Sequence, residues 1–439
     1  MAMWILALGC TPEPSQEAPR VVDWSRQRAP LDGESSAGRL WKRGIIHLHS
    51  PYSHDACDNH EGELTDEQCG QDLRDGLCAD AEDYAFLTDH PSMAAEHTYE
   101  ELLRLEGEDE VVDGVANSMA CPDGRRVLIM PGIEDELMPI GLDEQAAATA
   151  EENDAIYNGT DATTFDAEIA AGASVFQAHT EGKTIEDLLA RQQMGLSGVE
   201  VFNLHAMVDP TKREEDLGLD PTSYLADISP FITGTTDAEP DLAFLAFFQE
   251  QTVSLERWDA LNQVAFTAAT AGTDAHENAL PSLLSDDERV DSYRRMMCWF
   301  SNVLLVDDDS PAAHQEAVVA GHSFVAFEAM GTPAGFDVRY GELDMGGEAA
   351  VGETLSVTCP TLAETTPQDG NAPDIEATVY KDGAVWQTGC GDWPVDEPGV
   401  YRVTVAITPR HLAAFLDDQA EALIHPYPWI YSNAFRLGL

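Results

Sequence analysis

Two patterns of hydrophobic residues divide the chain near residue 340. From about residue 43 to 335, short apolar runs alternate with segments whose apolar residues recur at helical spacing, as Ile185, Leu188 and Leu189 do in segment 184–192. This alternation predicts an α/β fold with a parallel sheet or barrel. The predicted strands are residues 44–49, 84–88, 127–134, 174–179, 198–203, 264–273 and 302–306.

Beyond residue 340 the helical spacing stops and short strands follow one another. The predicted strands are residues 354–358, 375–380, 384–387 and 401–407, and the turn signals Asp382-Gly383 and Pro398-Gly399 lie between strands. This pattern predicts a small β-sandwich over residues 341–439. Segments 144–154 and 209–240 are interpreted as loop insertions, and segment 321–327 is expected to close the barrel of residues 43–340.

Polar residues mark the ends of the predicted strands. His49, His90, Glu134, His179 and Asp274 each lie at or just past such an end, as does Asn203. In a barrel these ends converge on one face, which is where barrel enzymes have their active sites. Seven strands of this kind predict a (β/α)7-type barrel with a site at that face.

The residue types at these ends indicate metal binding. On a strand, residues i and i+2 point to the same side, so His47 and His49 can share one metal. Imidazoles and carboxylates are costly to bury without partners, and metal ions compensate them. A mixed nitrogen and oxygen ligand set suits Zn, Mn or Fe.

The order of these motifs resembles that of a known family. Along the chain they are His47-Leu48-His49, Thr88-Asp89-His90, Gly132-Ile133-Glu134, Ala178-His179, Glu200-Val201-Phe202-Asn203 and Gly272-Thr273-Asp274-Ala275-His276. The series resembles the PHP (polymerase and histidinol phosphatase) superfamily over about residues 43–335. The resemblance implies a distorted (β/α)7 TIM-like barrel that holds up to three divalent metals and hydrolyses phosphate esters.

The resemblance also implies ligands for each metal. His47, His49, Glu134 and Asp274 would hold the first metal, and Glu134 would bridge to the second. The ligands implied for the second metal are His179 and His205, and those for the third are His90 and His276 with a residue of the turn Ser53-His54-Asp55. Asp55 is favoured in that turn, although His54 stays open.

Further roles follow from the same resemblance. Asp89 is expected to orient a ligand histidine, and Asp274 and Glu134 are the expected catalytic residues. Where the family usually has proline after the fourth histidine, this chain has Thr180, which leaves the occupancy of the second and third metals open.

The implied reaction is hydrolysis of a phosphate mono- or diester by a metal-activated water. No Gly-x-Ser-x-Gly elbow is present to supply a serine nucleophile. The expected substrate is a small phosphorylated molecule. Lys183 is a candidate phosphate contact, whereas Arg125 and Arg126 are expected to lie on a solvated turn.

Charge argues against a nucleic-acid partner. The chain has 80 acidic and 23 basic residues, a formal net charge of −57, which repels phosphate backbones and anionic lipid surfaces. Adaptation to high salt and a generally acidic exported protein both account for this composition.

The N-terminus and the cysteines indicate export. Leu6-Ala7-Leu8-Gly9-Cys10 resembles a lipoprotein lipobox, so residues 1–10 are interpreted as a signal remnant and residues 11–42 as a tether. The expected location is extracytoplasmic, with membrane contact only through a lipid anchor at Cys10.

The other cysteines fit an oxidising compartment. Cys359 and Cys390 are expected to pair, whereas three pairings stay open for Cys57, Cys69, Cys78 and Cys121. Cys298 is expected to be a buried free thiol.

Two other functions compete with phosphoester hydrolysis. The same ligand set can serve a metallohydrolase of a non-phosphate ester or amide. Alternatively, the chain is a non-catalytic surface binding protein that uses the barrel as a scaffold. The sequence leaves the substrate, the metal and the oligomeric state open.

Overall fold

A computed structural model of the protein describes residues 20–59 and 67–439. The predicted signal with Cys10, the first part of the tether and His60 lie outside the described residues. The rest of the tether, from Arg20 onward, runs along the protein and is fixed by an antiparallel bridge between Val22 and Gln368. Within the described residues, no helix is long and apolar enough to cross a membrane.

The first part of the chain alternates strands with helices. Its strands are β1 (Leu40–Leu48), β2 (Tyr84–Asp89), β3 (Glu110–Val112), β4 (Ala116–Ala120), β5 (Arg126–Ile133), β6 (Met138–Ile140), β7 (Ser174–Gln177), β8 (Gly198–Asn203), β9 (Ala268–Ala275), β10 (Ser301–Val306) and β11 (Ser323–Ala326). Its helices are α1 (Ala56–Asn59), α2 (Glu67–Ala79), α3 (Pro91–Ala94), α4 (Tyr99–Leu102), α5 (Ala150–Tyr157), α6 (Ala162–Ala170), α7 (Ile185–Met194), α8 (Leu204–Val208), α9 (Pro210–Glu215), α10 (Leu225–Thr233), α11 (Thr252–Asn262), α12 (Tyr293–Trp299) and α13 (Pro311–Val319).

Seven strands close into a mixed barrel. The ring order is β1, β2, β5, β6, β7, β8 and β9, and β9 pairs again with β1. Six of these strands are parallel, and the three-residue β6 runs antiparallel between β5 and β7. The carboxyl ends of the six parallel strands therefore meet at one face, as the sequence predicts.

The seventh predicted strand is not part of the ring. Residues 302–306 form most of β10, which pairs antiparallel with the first half of β1 outside the barrel. The ring uses β6 instead, and three residues are too few to give a recognisable periodicity. Strand β10 is buried along its whole length, so its apolar run looks the same as that of a barrel strand.

The prediction that segment 321–327 closes the barrel is wrong. Strand β11, which lies in this segment, pairs with β10 on one side and with a strand of the C-terminal region on the other. The sheet therefore continues from the barrel into the C-terminal region, and the domain boundary at residue 340 stays a prediction.

The C-terminal region is built mainly of strands. They are β12 (Pro333–Ala334), β13 (Asp337–Tyr340), β14 (Glu348–Ala349), β15 (Thr354–Thr358), β16 (Thr361–Leu362), β17 (Asp374–Lys381), β18 (Ala384–Thr388), β19 (Gly391–Pro394), β20 (Gly399–Thr408), β21 (Tyr427–Ser432) and β22 (Phe435–Leu437), with short helices α14 (Ala413–Leu416) and α15 (Ala420–Leu423). All four strands predicted here are present.

Two sheets of this region share one apolar core. Strands β13, β15 and β19 form a separate three-stranded sheet, and β17, β20 and β21 belong to the sheet that continues from β11. Val338 and Leu355 of the first sheet lie in the same buried cluster as Val403 and Trp429 of the second. Segment 426–433, which contains β21 and Trp429, therefore packs into this shared core.

The segments interpreted as loop insertions contain helices. Helix α5 overlaps segment 144–154, and helices α9 and α10 lie in segment 209–240. The predicted helix at residues 184–192 is present as α7, whose N-terminus is capped by the Thr184 side chain.

Three disulfide bonds join the paired cysteines. Cys57 is bonded to Cys69, Cys78 to Cys121, and Cys359 to Cys390. Cys298 is free and buried, as expected. Cys57 follows Asp55 by two residues, so the Cys57–Cys69 bond fixes the backbone just after the turn that carries Asp55.

Candidate metal centre

Irregular backbone at strand ends brings the site together. The register of β1 shifts between Ile46 and Leu48, and His47 within this bulge has a φ of 73°. His179 and Asp274, just after β7 and near the end of β9, also have positive φ values of 49° and 52°. Such conformations are uncommon for residues with a Cβ, and they cluster at functional sites. The bulge, rather than regular strand alternation, places His47 beside His49.

All nine residues predicted as metal ligands lie together at this face. Among the residues that the structure describes, five groups of at least three side chains have ligand atoms within 4.8 Å of one another, and four of these groups consist of predicted ligands. They are His47, His49 and Asp274; His47, Glu134 and His179; His179, His205 and Asp274; and His49, His90 and His276. The groups share members, as the ligands of adjacent metals do, although the role of each residue as a ligand stays a prediction.

Asp274 lies at the centre of the site. Its Oδ1 lies 3.2 Å from Nε2 of His47, 3.4 Å from Nε2 of His49 and 3.3 Å from Nδ1 of His276. Its Oδ2 lies 3.3 Å from Nε2 of His179 and 3.4 Å from Nδ1 of His205. One carboxylate thus faces five imidazoles, a position that suits a ligand shared between metals.

Glu134 bridges two parts of the site. Its Oε1 lies 3.7 Å from Nε2 of His179, and its Oε2 lies 3.1 Å from Nδ1 of His90 and 4.0 Å from Nε2 of His49. The two oxygens of one carboxylate therefore point to different groups of histidines. This arrangement matches the bridging role that the motif series implies.

Asp55, rather than His54, faces His90 and His276. Its Oδ1 lies 3.5 Å from Nε2 of His90 and 3.4 Å from Nε2 of His276. His54 is exposed and bonds Ser92 through Nδ1. Among the described residues, Oδ1 of Asp55 and Nε2 of His276 have no hydrogen-bond partner although both atoms are buried. A cation between these atoms would satisfy both.

Side-chain acceptors orient three of the histidines. Nδ1–H of His47 donates to Glu200 at 2.6 Å, and Nδ1–H of His179 donates to Glu181 at 3.1 Å. Nδ1 of His49 lies 2.7 Å from the hydroxyl of Ser53. In each case Nδ1 faces the acceptor, and Nε2 faces the centre of the site.

The Ser53 hydroxyl determines the tautomer of His49. Its single proton is donated to Oδ1 of Asp89 at 3.2 Å, so Ser53 accepts a hydrogen bond from Nδ1–H of His49. The backbone N–H of His90 donates to the same hydroxyl at 2.9 Å. Asp89 therefore orients His49 through a serine, which is the indirect role that the sequence predicts for this carboxylate.

Backbone carbonyls orient two further histidines. Nδ1–H of His90 donates to the carbonyl of Glu134 at 2.9 Å, and Nδ1–H of His276 donates to the carbonyl of Asp274 at 2.9 Å. Five imidazoles thus have Nδ1 engaged and turn Nε2 towards the carboxylates of the site. Metal-binding histidines are held in this way by a partner on the other nitrogen.

His205 is held differently. It turns Nδ1 towards Asp274, and its side chain is 44% exposed. It lies at the start of α8, directly after β8, where the Asn203 side chain caps the helix. His205 is the most open of the predicted ligands and lies in the wall of the cavity described below.

The protonation states of neighbouring side chains in the site depend strongly on one another. Burial disfavours protonation of His47, but the carboxylates of Glu200 and Asp274 outweigh it and raise its pKa well above the usual value. Burial and the neighbouring His276 lower the pKa of His49 well below normal. Nε2 of these two histidines lie 3.1 Å apart, so a proton or a metal ion between them relieves the repulsion of their lone pairs.

The donor set fits divalent metals. Burial raises the pKa of Asp274, but His47 and the hydrogen bonds from His179 and His205 outweigh this and hold it well below normal. The carboxylate is therefore ionised and ready to bind a cation. Neutral imidazole and carboxylate ligands suit Zn, Mn and Fe.

A cavity of about 170 Å³ opens onto these ligands. Its wall includes His179, His205 and Asp274 together with Lys212 and Glu277. A larger cavity of about 410 Å³, lined by Trp24, Arg28, Cys298 and Leu412, contains none of the predicted ligands. The smaller cavity is therefore the candidate active site.

The other sequence candidates lie outside this cavity. Lys183 is paired with Glu136 at 2.7 Å, Arg125 with Asp123 at 2.7 Å, and Arg126 with Glu110 at 3.2 Å. None of the three cations lines the candidate site. The described histidines that fit no motif are likewise absent from its wall.

Sequence reasoning missed the groups that orient the ligands. Glu200 was noticed only as part of a motif, and no role was assigned to Glu181 or Ser53. A buried acid in the middle of strand β8 is the one signal that marks Glu200, because such a group needs a partner. Lys212 gives no signal, since it lies in an insertion and belongs to none of the motifs.

Comparisons with known proteins give structural likenesses only. No protein-family model matches the sequence, and no curated protein matches it. The structure is similar to a two-domain protein containing a predicted PHP-like metal-dependent phosphoesterase from Bacteroides vulgatus ATCC 8482. The TM-score is 0.36 and the identity 10%, over 92% of this chain and 99% of that chain.

Two other solved structures are similar over a smaller part of the chain. PfuEndoQ, a lesion-specific endonuclease from Pyrococcus furiosus, gives a TM-score of 0.34 at 12% identity, over 64% of this chain and 56% of that chain. PsfC from Pseudomonas syringae PB-5123 gives 0.35 at 15% identity, over 66% and 93%. Because these TM-scores are low, the function proposed below is argued from the geometry of the site.

Proposed function

We propose that the protein is a metal-dependent phosphoesterase that hydrolyses a phosphate mono- or diester at a centre of two or three divalent metals. One observation supports this above all others. Five histidines have Nδ1 engaged by an acceptor, and Nε2 of each ring faces the carboxylates of Asp274, Glu134 and Asp55. Their ligand atoms crowd together as those of a metal centre do, and among the described residues Oδ1 of Asp55 and Nε2 of His276 are buried without a hydrogen-bond partner.

The proposed assignment of ligands follows the four groups of residues. His47, His49, Asp274 and Glu134 would hold the first metal, and His179, His205, Glu134 and Asp274 would hold the second. His90, His276 and Asp55 would hold the third, because Oδ1 of Asp55 lies near Nε2 of both histidines. The barrel is interpreted as a distorted (β/α)7 TIM-like barrel, in which β6 replaces one parallel strand, and the C-terminal region as a β-sandwich.

Divalent ions in such a site supply Lewis acidity, which activates water and neutralises charge on the phosphoryl oxygens. The residues of the chain contribute position and charge. Glu200, Glu181 and the Ser53–Asp89 pair fix the ligand histidines before substrate arrives, which reduces reorganisation during the reaction. Asp274 and Glu134, each held between histidines, keep their carboxylates at the centre of the site.

The narrow cavity supports a small substrate. At about 170 Å³ it accommodates a phosphoryl group with a small organic part. The acidic surface argues against a nucleic acid, because it repels a phosphate backbone. A non-phosphate ester or amide is the alternative substrate for the same metal chemistry.

An activity screen with reconstituted protein separates these substrates. The protein is loaded in turn with Zn, Mn and Fe and assayed on p-nitrophenyl phosphate, bis(p-nitrophenyl) phosphate and p-nitrophenyl acetate. We expect metal-dependent hydrolysis of at least one phosphate ester, with a loss of about a hundredfold or more in Asp274→Asn. His322→Gln, outside the site, serves as the matched control.

Three results would contradict the proposal. Hydrolysis of the acetate ester alone would support the alternative substrate class. Full activity of Asp274→Asn on every ester would place the chemistry elsewhere, and a protein inactive on all substrates in each metal form would support a non-catalytic binding role.

We further propose that the protein is exported. The three disulfide bonds support this, because such bonds persist in oxidising compartments and are rare in a reducing cytosol. Fractionation of the producing cells tests the location, and a protein found in the cytosol with free thiols would contradict it.

A further inference from the structure

Lys212 differs from the other lysines of the chain. Lys42 is paired with Asp309 at 2.6 Å, Lys183 with Glu136 at 2.7 Å, and Lys381 with Glu397 at 2.5 Å. Within the described part of the chain, the ammonium group of Lys212 forms no ion pair with a carboxylate. With 80 acidic residues against 23 basic ones, an unpaired cation needs an explanation.

The position of Lys212 explains why its ammonium group is unpaired. Its side chain is half-buried and lies in the wall of the candidate active site, together with His205 and Asp274. Apart from histidines, it is the one basic residue among the described residues that line this cavity. The carboxylates of Asp55, Glu134 and Asp274 would be neutralised by bound metals, which leaves Lys212 to attract an anion.

The local fold holds Lys212 in place. The Asp209 side chain accepts a hydrogen bond from the backbone N–H of Lys212 at 2.8 Å and caps helix α9. This helix follows α8, which carries His205, so a single insertion after β8 supplies both residues to the site.

Arg213 anchors the same helix from its other side. Its fully buried guanidinium donates to the carbonyl of Met207 at 2.6 Å and to that of Asp220 at 3.2 Å, and it lies 4.8 Å from the ring of Tyr224. Because Arg213 points into the insertion, its neighbour Lys212 is turned towards the cavity.

Asp291, an acidic residue of the wall, already has partners. Asp291 accepts hydrogen bonds from Arg289 and from the backbone N–H groups of Ala279 and Leu280. Since Asp291 is already satisfied by these donors, it does not compete strongly for Lys212. The ammonium group is therefore available to a ligand.

We propose that Lys212 binds an anionic oxygen of the substrate and makes the site selective for phosphate esters over neutral esters. The inference rests on the proposed function and deepens it. A lysine binds phosphate as a point charge, and its hydrogen bond to an anion is stronger than one between neutral groups. A non-bridging oxygen of the phosphate carries charge both before and during the reaction. Lys212 therefore contributes to the affinity for the substrate more than to the rate of the chemical step.

Binding of inorganic phosphate tests the inference without relying on activity. Titration calorimetry on Mn-reconstituted protein compares wild type with Lys212→Gln, Lys212→Arg and Lys183→Gln at one fixed ionic strength. We expect Lys212→Gln to weaken phosphate binding about tenfold to a hundredfold at unchanged metal content. Lys212→Arg retains most of the affinity, and Lys183→Gln, whose lysine is already paired, binds phosphate like wild type.

Kinetics provide a second measurement. In Lys212→Gln we expect the KM for p-nitrophenyl phosphate to rise with the dissociation constant of phosphate, while kcat changes less and hydrolysis of p-nitrophenyl acetate is unaffected. A merely structural role would lower kcat and metal content together.

The outcomes separate this inference from the proposed function. Unchanged phosphate binding in Lys212→Gln, or wild-type protein that binds no phosphate, overturns the inference even if phosphate esters are hydrolysed. Phosphate binding that depends on Lys212 in a protein without phosphoesterase activity supports the inference and contradicts the proposed function.

Discussion

Nδ1 of His47 donates a hydrogen bond of 2.6 Å to Glu200, and both side chains are shielded from solvent inside the barrel. The second oxygen of Glu200 accepts the backbone N–H of His179 at 2.9 Å. One carboxylate thereby fixes a histidine of β1 and the backbone that presents a histidine after β7. Glu200 is the buried group on which the proposed first and second metal sites both depend.

Replacing Glu200 with glutamine should weaken metal binding. The amide is similar in size but carries no charge, so it holds the His47 ring and supports its basicity less well. We expect the affinity for the more tightly bound metals to fall about 10- to 100-fold. Competition with a chromogenic chelator measures this change. Glu186→Gln, on the exposed surface of α7, is the control, and equal affinities for the two variants would contradict the role of Glu200.

Gly272 makes room for this pair. A Cβ at residue 272 would collide with Oε1 of Glu200 and come within 2.9 Å of Nδ1 of His47. We therefore expect Gly272→Ala to displace the pair and lower the metal content. The expected destabilisation is about 1–3 kcal/mol, the usual cost of overpacking.

Elemental analysis and thermal unfolding check the two parts of this prediction. Gly70→Ala, whose added Cβ would meet no heavy atom closer than 3.3 Å, is the control. Wild-type metal content in Gly272→Ala would show that the pair tolerates displacement.

The Ser53 hydroxyl should act together with Asp89. Ser53→Ala removes the acceptor of His49 Nδ1–H, and Asp89→Asn weakens the group that orients that hydroxyl. Because the two residues act on His49 in series, their effects on metal affinity should be less than additive. A double-mutant cycle measures the coupling, and strict additivity would argue that Asp89 does not act through Ser53.

Glu168 should make stability depend on pH. Burial raises the pKa of this carboxyl from 4.5 to about 8, and within the described residues neither of its oxygens has a hydrogen-bond partner. The folded protein therefore keeps a proton that the unfolded chain has lost. The contribution of protonated Glu168 to the free energy of unfolding is lost as the pH rises from 4.5 through about 8.

Glu168→Gln should remove this dependence. The neutral amide has no ionised form to desolvate, so the variant should be more stable than wild type at pH 9 by on the order of a few kcal/mol. Denaturant unfolding at pH 5 and pH 9 measures the difference between the proteins. A constant difference at both pH values would contradict the buried, protonated state of Glu168.

The Cys78–Cys121 bond should contribute substantially to stability. It closes a loop of 43 residues that includes β2 and β4. Loss of the cross-link in the double variant Cys78→Ser/Cys121→Ser should cost about 4 kcal/mol. Urea unfolding measures the cost, and Cys298→Ser serves as a control that changes a cysteine without breaking a bond. Equal losses in the two proteins would contradict the stabilising role of the disulfide.

The location of the site could be predicted from the sequence because each motif sits where a buried strand ends. Parallel strands bring those ends together whatever their exact register, so His49, His90 and Asp274 converge even though individual strand limits differ. This convergence needed only strand order and residue chemistry, whereas the places of Asp55 and Asp89 came from the resemblance of the motif series.

The remaining features depend on tertiary contacts that leave little local signal. Strand β6 is too short to be recognised, and β10 has the apolar run of a barrel strand. The sequence pattern therefore assigns β10, rather than β6, to the barrel ring. The role of Glu200 depends on the bulge at His47, which no periodicity predicts. Lys212 enters the site because Arg213 anchors an insertion, and that relationship exists only in the folded chain.

Metal stoichiometry tests the central claim most directly. Purified protein is stripped with a chelator, reconstituted separately with Zn, Mn and Fe, and measured by elemental analysis alongside Asp274→Asn. We predict that wild type binds two or three equivalents of at least one metal and that Asp274→Asn loses at least one of them, since Asp274 faces five of the histidines. Less than one equivalent in wild-type protein with every metal would contradict the proposed centre.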